Sequence, residues 1–294
     1  MYCPLFLWKI YKFFVHLYTG RCEIERLCHN YEISNHNRRL LIEQSIENSS
    51  KLNRIKTSLL AEFDTHTIAM AIVEIKKINQ DLLAFESTIL PNLEAALEPL
   101  SALQSLKAQI TLLRDQAYDS ENEIHEEKLD QLWNSIFPNK RRSARITSEW
   151  GHMGFQGKDP ATDFRGMGLL GLENLLYLAT NYEEETKYIL ECANSKFQYP
   201  FAITGINITS KLVNMLLSEK NHLKNHFIYT KPSMRDFNEL YAKVFISFNN
   251  YYQSKKPENV MQFGPIINDF IANLHLNLLD AFDTNTNQYN LSLF

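Results

Sequence analysis

The sequence predicts an all-α protein, a multi-helix orthogonal bundle with one glycine-rich loop. Apolar residues recur at the helical spacing of about 3.6 over most of the chain, and the alternation typical of strands is nearly absent. The composition agrees, because only 9 glycines and 9 prolines occur among 294 residues, too few for the turns of an all-β sandwich. The chain contains no internal repeat of fixed period.

Three segments in the C-terminal half show the helical period most clearly. The first of them ends at Pro138, because proline cannot continue a helix. A fourth segment begins with strand-like alternation over Phe201–Ile208 but continues into a helical pattern that ends at Leu217. The apolar residues that define the three clear helices are Leu129, Leu132, Trp133, Ile136 and Phe137; then Phe237, Leu240, Tyr241, Val244, Phe245 and Phe248; and then Phe263, Ile266, Ile267, Phe270, Ile271, Leu274 and Leu278.

Changes in composition divide the chain into four parts. These are an apolar N-terminal segment (1–21), an N-terminal helical region (22–120), a second helical domain (121–283) and a polar tail (284–294). Within the N-terminal helical region, several amphipathic helices are separated by breaks near Asn48–Ser50 and Pro91. The acidic run Glu121–Asp130 and the basic run Lys140–Arg145 are typical of solvated helix faces or loops, so we assign them no chemistry.

The N-terminal segment is apolar and aromatic apart from one polar stripe. Lys9, Lys12 and His16 form that stripe on a helix, since they are three and four residues apart. The segment falls short of the ~20 apolar residues of a membrane span, and it lacks the leader and cleavage site of a signal peptide. It is typical of a helix in the membrane interface; the alternatives are a signal sequence and a helix packed on the core. We expect a cytoplasmic protein held peripherally at a membrane, with endomembranes, lipid droplets and the mitochondrial surface as candidates.

Charge and cysteine content exclude several classes of partner and site. The formal net charge of −4 argues against nucleic acid as the main partner, because phosphate binding needs a concentrated basic surface. The 4 cysteines form neither a disulfide framework nor a metal-binding pattern, since five residues separate Cys22 from Cys28. We therefore expect a reduced, intracellular protein.

Six of the nine glycines lie within residues 151–171, which marks one special loop. Two phosphate-binding patterns are nearly present there, and both fail on context. The glycines of 166–171 match the dinucleotide fingerprint, but a polar stretch with Pro160 stands where a buried strand is required. The Gly-Lys pair at 157–158 resembles part of a Walker loop, but Asp159 stands where serine or threonine must hold magnesium.

Arg165 lies in this loop, and the residues alone leave two interpretations open. Gly166 and Gly168 give its side chain little steric shelter, as expected for an arginine that enters the active site of a partner GTPase. Such an arginine stabilises the charge on the transferring phosphoryl group and accelerates hydrolysis by ~10³–10⁵. The alternative is an ion pair with Asp163 or Asp159 that only ties the loop down. Because ion pairs outnumber catalytic arginines, the residues by themselves favour the ion pair.

The residues around the arginine have predicted structural roles. Phe164 is expected to anchor the loop in the core. Thr162 or Asp163 is expected to cap the helix that follows, since both residue types favour the first position before a helix. Gln156 and Asp163 are expected to hold the shape of the loop.

The loop and its surroundings resemble the ELMO (engulfment and cell motility) domain of the short ELMO domain-containing proteins. Three further stretches match the same family, so the resemblance covers nearly the whole chain. The residues that carry the central resemblance are Trp150, Gly154–Gln156, Pro160, Thr162–Gly166, Gly168 and Leu170–Leu172. The further stretches are Thr19–Cys28, Ala117–Trp133 and Phe201–Thr209.

This resemblance implies a helical domain, here residues 121–283, that activates Arf and Arf-like GTPases. It places the catalytic arginine at Arg165, which the longer ELMO scaffolds generally lack. The connection Tyr182–Pro200 is shorter than in many relatives, which affects the choice of partner more than activity. The other residues that the resemblance assigns to GTPase binding or to the shape of the loop are Trp150, Gly154, Phe155, Gln156, Pro160, Thr162, Asp163, Phe164, Gly166 and Gly168.

With the resemblance, the interpretation of Arg165 as a catalytic finger is favoured. The protein is then a regulator and not itself an enzyme, with an Arf or Arf-like GTPase in its GTP form as partner. It is expected to need no cofactor, no metal beyond the magnesium of its partner and no small-molecule substrate. The alternative is a binding module, an effector or adaptor that holds a small GTPase without stimulating hydrolysis.

Overall fold

A computed structural model of the protein describes residues 5–78, 88–218, 223–227, 231–280, 282–283 and 288–289. Nearly all regular structure in these residues is helical, which confirms the predicted all-α class. The exception within the described residues is one antiparallel pair of two-residue strands, β1 (Phe282–Asp283) and β2 (Gln288–Tyr289). Most of the predicted polar tail, 284–294, lies outside the described residues. The chain divides into two compact units, residues 1–105 with 228–231, and residues 106–227 with 232–294.

The first unit is built from short helices joined by tight turns. Side chains cap the first turn of several of these helices; for example, Ser34 accepts a hydrogen bond from the amide of Asn37, and Asp64 accepts one from the amide of Thr67. The predicted break near Asn48–Ser50 is confirmed. Its helices are α1 (Leu5–Thr19), α2 (Glu23–His29), α3 (Asn35–Glu47), α4 (Asn53–Ser58), α5 (Thr65–Lys76) and the beginning of α6 (Ile89–Asp115).

Pro91 does not itself interrupt a helix. It lies in the first turn of α6, where the missing amide of proline has no intrahelical partner to lose. The helix therefore begins two residues before the proline. The apolar faces of α2, α3, α5 and α6 form the core of the first unit, with Ile24, Cys28, Ile42, Ile46, Ile72, Leu93 and Leu97 all buried.

In helix α1, Lys12 and His16 of the polar stripe contact residues of the first unit, whereas several apolar residues between positions 10 and 18 are exposed. Lys12 pairs with Glu23, and the ring of His16 lies 2.9 Å from the carbonyl oxygen of Arg21. On the other face, Phe14 is 60% exposed and Leu17 is 72% exposed. The described part of α1 is therefore not a core helix. No helix among the described residues is both long and apolar enough to cross a membrane.

Helix α8 is the centre of the second unit and packs against α7, α9, α10 and α12. Its sequence is apolar nearly all round because it has neighbours on most sides; its buried leucines are Leu169, Leu170, Leu172, Leu175 and Leu178. Besides the end of α6, the unit contains α7 (Glu123–Ile136), α8 (Gly168–Asn181), α9 (Glu183–Ala193), α10 (Phe201–Leu217), α11 (Lys224–Phe227), α12 (Met234–Lys255) and α13 (Phe263–Asp280).

The helices predicted from periodicity are confirmed in this unit. Helix α7 ends at Ile136, two residues before Pro138, and the alternating segment that begins at Phe201 is wholly helical as α10. Every apolar residue of the pattern assigned to α12 is buried. The glycine-rich stretch follows α7 as a series of short 3₁₀ turns, and no strand precedes it among the described residues.

Candidate functional site

The residues around the predicted arginine, 159–168, contain two consecutive 3₁₀ turns and form a segment that we call the arginine loop. Asp159 begins the first turn, since its carboxylate accepts a hydrogen bond of 3.0 Å from the amide of Ala161. The hydroxyl of Thr162 donates to the Asp159 carbonyl oxygen at 2.9 Å. These bonds within the loop give it a defined backbone before α8 begins.

Asp163 connects the arginine loop to the preceding part of the glycine-rich stretch. Its carboxylate accepts a hydrogen bond of 2.8 Å from the amide of Gln156. The prediction that Thr162 or Asp163 caps the following helix is wrong, because both side chains are engaged elsewhere. Helix α8 instead begins after Met167 with no side-chain cap.

A chain of aromatic rings fixes the loop to α7. Phe164 is 1% exposed, and its ring centroid lies 5.6 Å from that of Phe155, edge to face. Phe155 lies 5.7 Å from Trp150, which lies 5.2 Å from Trp133 of α7. Such edge-to-face pairs add about 0.5–1.5 kcal/mol each beyond the area that they bury. The residue next to Arg165 is therefore firmly anchored.

Glycine is required where the loop joins α8. Gly168 has a φ of +49°, and a Cβ there would lie 2.4 Å from the carbonyl oxygens of Arg114 and Gln116. The amide of Leu169 donates to the Gln116 carbonyl oxygen at 3.0 Å. At Gly166, by contrast, a Cβ would meet no atom within 4 Å. Gly168 thus allows close packing on the end of α6, whereas Gly166 leaves open space beside the arginine.

Arg165 presents an exposed guanidinium group on this anchored loop. Its Nε donates a hydrogen bond of 2.7 Å to the carbonyl oxygen of Thr162. Within the described parts of the chain, its guanidinium forms no ion pair with a carboxylate. Asp159 is paired with another arginine at 2.7 Å, and Asp163 accepts the bond from Gln156. The ion pair considered as an alternative role for Arg165 is therefore not formed.

Arg145, which lies outside the arginine loop, fixes the loop through ion pairs, a role that the sequence did not predict. Its Nη1 lies 2.7 Å from the Asp159 carboxylate, and its Nε lies 2.6 Å from that of Glu126 on α7. The indole Nε1 of Trp150 donates to the Arg145 carbonyl oxygen at 2.9 Å. The acidic run that overlaps α7 and the basic run that follows α7 were a signal for the pair with Glu126, but they did not indicate Asp159, which lies outside both runs.

The two carboxylates of the arginine loop, Asp159 and Asp163, have opposite shifts in pKa. Burial alone would raise the pKa of Asp159, but the hydrogen bonds from Arg145 and from the amide of Ala161 outweigh it and lower the pKa. At Asp163, burial dominates over the amide of Gln156 and over the charge of Arg165, so its pKa is raised.

A cavity of about 390 Å³ opens beside the arginine. Arg165 and Gly166 line one part of it, and Arg114, Asp115 and Tyr118 line another. A second cavity, of about 400 Å³, is lined by Gly154–Gln156 and by Tyr199–Phe201. The surface near the arginine is thus concave and carries both apolar and charged groups.

Burial separates the predicted site residues into two groups. The buried residues shape the loop and are not accessible to a partner; they are Trp150, Phe155, Pro160, Phe164 and Gly168. The exposed residues are Gln156, Thr162, Arg165 and Gly166, whereas Gly154 and Asp163 are half-buried. Among the described residues, no group of three histidine, cysteine or acidic side chains is placed to hold a metal ion.

The sequence model of the ELMO/CED-12 family matches residues 108–267, which include the whole arginine loop. The chain belongs to the ELMO/CED-12 family. This family segment begins near the start of the second compact unit at residue 106 and contains the helices around α8. The arginine loop is thus part of the family's own domain, whereas most of the first unit lies outside the matched segment.

Curated ELMO proteins match the chain over nearly their full length. ELMO domain-containing protein B of Dictyostelium discoideum is 51% identical over 277 residues, which cover 94% of this chain and 97% of that protein. ELMO domain-containing protein 2 of Bos taurus is 35% identical, with 90% and 89% covered. ELMO domain-containing protein 1 of Homo sapiens is 35% identical, with 92% and 87% covered. No solved structure matches the chain.

Proposed function

We propose that this ELMO-family protein is a GTPase-activating protein for Arf and Arf-like GTPases. Arg165 would enter the nucleotide site of the partner and lie against the γ-phosphate, while the GTPase itself orients the attacking water. The protein then acts as a regulator that completes the active site of another protein. It needs no nucleotide or metal of its own for this role.

The observation that carries this proposal is the state of the Arg165 side chain. An arginine can stabilise charge on a phosphoryl group only if its guanidinium is available and well positioned. Arg165 is exposed and forms no ion pair among the described residues. Its hydrogen bond to the Thr162 carbonyl oxygen uses Nε, so the two Nη groups remain available to a partner. The buried Phe164 next to it restricts the motion of the backbone.

The planar fork of the guanidinium is suited to the equatorial oxygens of a phosphoryl group in transfer. Lysine at this position keeps the charge but loses the fork and the Nε donor that the Thr162 carbonyl oxygen holds. Substitution by lysine therefore removes the geometry and retains only the charge.

Single-turnover GTP hydrolysis by a panel of purified Arf and Arf-like GTPases tests the proposal with the full chain. We expect Arg165→Ala and Arg165→Lys each to reduce the stimulated rate by about 10³-fold or more, because the arginine supplies most of the stimulation. Both variants should melt within a few degrees of the unmodified protein, since an exposed side chain contributes little to stability. Arg141→Ala is the matched control, an exposed arginine on the basic run.

Two results would contradict the proposal. One is stimulation that survives in Arg165→Ala. The other is tight binding of a GTP-loaded GTPase with no acceleration by the unmodified protein, which would assign an effector or adaptor function instead.

The exposed apolar face of α1 supports a second part of the proposal, peripheral attachment to a cytoplasmic membrane surface. Tyr11, Phe13, Phe14, Leu17 and Tyr18 are all more than half exposed. A helix with such a face is stabilised when it lies in the boundary between lipid headgroups and acyl chains. Binding of the full chain to vesicles of neutral phosphatidylcholine tests this attachment.

A further inference from the structure

A cavity of about 610 Å³ lies in the first unit beside α1 and is strongly basic. Four cationic residues line it, Lys12, Arg26, Lys51 and Lys76, against the single carboxylate of Glu23. Hydroxyl and amide side chains from the end of α3 complete the lining, namely Ser45, Asn48, Ser49 and Ser50. This concentration of positive charge is unusual in a chain whose formal net charge is −4.

The cationic groups are only partly compensated by the protein. Lys76 donates a hydrogen bond of 2.7 Å to the Ser49 hydroxyl. Burial lowers the pKa of Lys76, and the charges of Lys12 and Lys51 act in the same direction. The Nη1 atom of Arg26 is buried and has no hydrogen-bond partner among the described residues. A bound anion would supply the missing acceptor and relieve the repulsion between the lysines.

The cavity opens at the helix that carries the exposed apolar face. Phe13 and His16 of α1 are among its lining residues, and Phe13 is 63% exposed. If α1 lies in the membrane interface, the cavity is held at the depth of the lipid headgroups. Phosphate groups are the concentrated negative charge at that depth, so the charge of the cavity and its position point to the same ligand.

We propose that this cavity binds the phosphorylated headgroup of an acidic membrane phospholipid. Besides the Lys12–Glu23 pair, three cations with several hydroxyl donors fit a headgroup that carries phosphate monoesters, such as a phosphorylated inositol, better than one with a single diester charge. The inference rests on the proposed membrane attachment of α1, and it is independent of the proposed activation of GTPases.

Sedimentation with vesicles tests this inference with the full chain. Three compositions are compared: phosphatidylcholine alone, phosphatidylcholine with phosphatidylserine, and phosphatidylcholine with a phosphorylated phosphoinositide at the same total charge. We expect the strongest binding to the phosphoinositide vesicles. Lys51→Glu and Lys76→Gln should each weaken that binding by about fivefold or more. Lys56→Glu is the matched control, since Lys56 is a half-buried lysine of the same unit that does not line the cavity.

Several outcomes would overturn the inference. Equal binding to phosphatidylserine and phosphoinositide vesicles at equal charge would show general surface attraction, as would an equal loss in Lys56→Glu. Tight binding of a soluble inositol phosphate together with no preference among vesicles would assign a free anion as the ligand. Melting curves of each variant exclude a loss of binding through unfolding.

Failure of the attachment itself is distinguishable from failure of the headgroup site. Phe14→Ser should weaken binding to all three vesicle compositions, because it removes apolar area from α1 and leaves the cavity unchanged. The cavity variants should weaken binding only where phosphate monoesters are present. Binding to no vesicle of any composition would overturn both the attachment and the headgroup site, whereas GTP hydrolysis in solution reports on Arg165 alone.

Discussion

Asp159 and Asp163 occupy the same loop, yet their environments favour opposite protonation states. Arg145 stabilises the ionised form of Asp159, whereas burial disfavours the ionised form of Asp163. The loop that carries Arg165 therefore contains one carboxylate that is neutralised by a different arginine and another that is partly sheltered from water. This division of partners leaves the Arg165 guanidinium without a carboxylate of its own among the described residues.

The ion pair of Asp159 gives stability that depends on pH. Its folded-state pKa lies below the ordinary value of 3.8, so the stabilisation is present in full above that value and is lost as pH falls through the folded pKa. We expect the unmodified protein to be more stable than Asp159→Asn at neutral pH. Urea unfolding at a series of pH values should show this difference shrink below about pH 4. A difference that stays constant down to pH 3 would contradict the assignment.

Gly168 and Gly166 are two residues apart but differ in what they tolerate. We expect Gly168→Ala to destabilise the protein by at least about 2 kcal/mol, because the new Cβ would clash with backbone oxygens at a positive φ. Gly166→Ala should change stability by no more than about 0.5 kcal/mol, since its Cβ would enter open space. Chemical denaturation of the two variants side by side measures the contrast, and equal free energies of unfolding would refute the required close approach.

Among the helices, α8 and α10 are joined by a buried polar pair as well as by apolar packing. The Nδ2 of Asn174 donates a hydrogen bond of 3.0 Å to the Thr209 hydroxyl, and both residues are fully buried. The Thr209 hydroxyl in turn donates to the Gly205 carbonyl oxygen at 3.0 Å. A pair of this kind favours one alignment of the two helices, because a displaced helix would leave the amide unpaired.

We expect Thr209→Val to cost about 1–3 kcal/mol, since it leaves the buried Asn174 amide without its acceptor. Asn174→Leu together with Thr209→Val should cost less than the two single changes added, because no polar group of the pair is then stranded. Urea unfolding of the four proteins in this double-mutant cycle gives the coupling energy. Simple additivity would mean that the hydrogen bond does not link the helices energetically.

The helices were largely predictable from the sequence, whereas most of the hydrogen bonds and ion pairs that shape the arginine loop were not. Residues such as Phe245 and Leu132 identify a buried helix face because periodicity is a local property of the chain. Asp163 was expected either to cap a helix or to hold the shape of the loop together with Gln156. Its carboxylate accepts a hydrogen bond from the amide of Gln156, which agrees with the second role and not with the first. The carboxylates that pair with Arg145 are determined by how the turns pack against α7, and the spacing of residues in the sequence does not predict this packing.

In the molecule as a whole, the hydrophobic core of the first unit and the arginine loop belong to different compact units. The core of the first unit contains Ile72, which is fully buried, whereas the arginine loop belongs to the second unit. We expect Ile72→Ala to destabilise the first unit by about 2–5 kcal/mol. Below its melting temperature, the variant should keep the rate at which it stimulates GTP hydrolysis in solution. Loss of that rate in a fully folded sample would show that the first unit also takes part in the activity.

The aromatic chain that anchors the loop contains tryptophan, so intrinsic fluorescence can be used to follow the loop. Of the 3 tryptophans in the sequence, Trp133 and Trp150 are adjacent, and Trp150 leads through Phe155 to the residue beside Arg165. Their indole emission responds to small changes in polarity and ring orientation around the loop. We therefore expect docking of a GTPase at the arginine to change the intrinsic fluorescence of these tryptophans, which needs no attached dye.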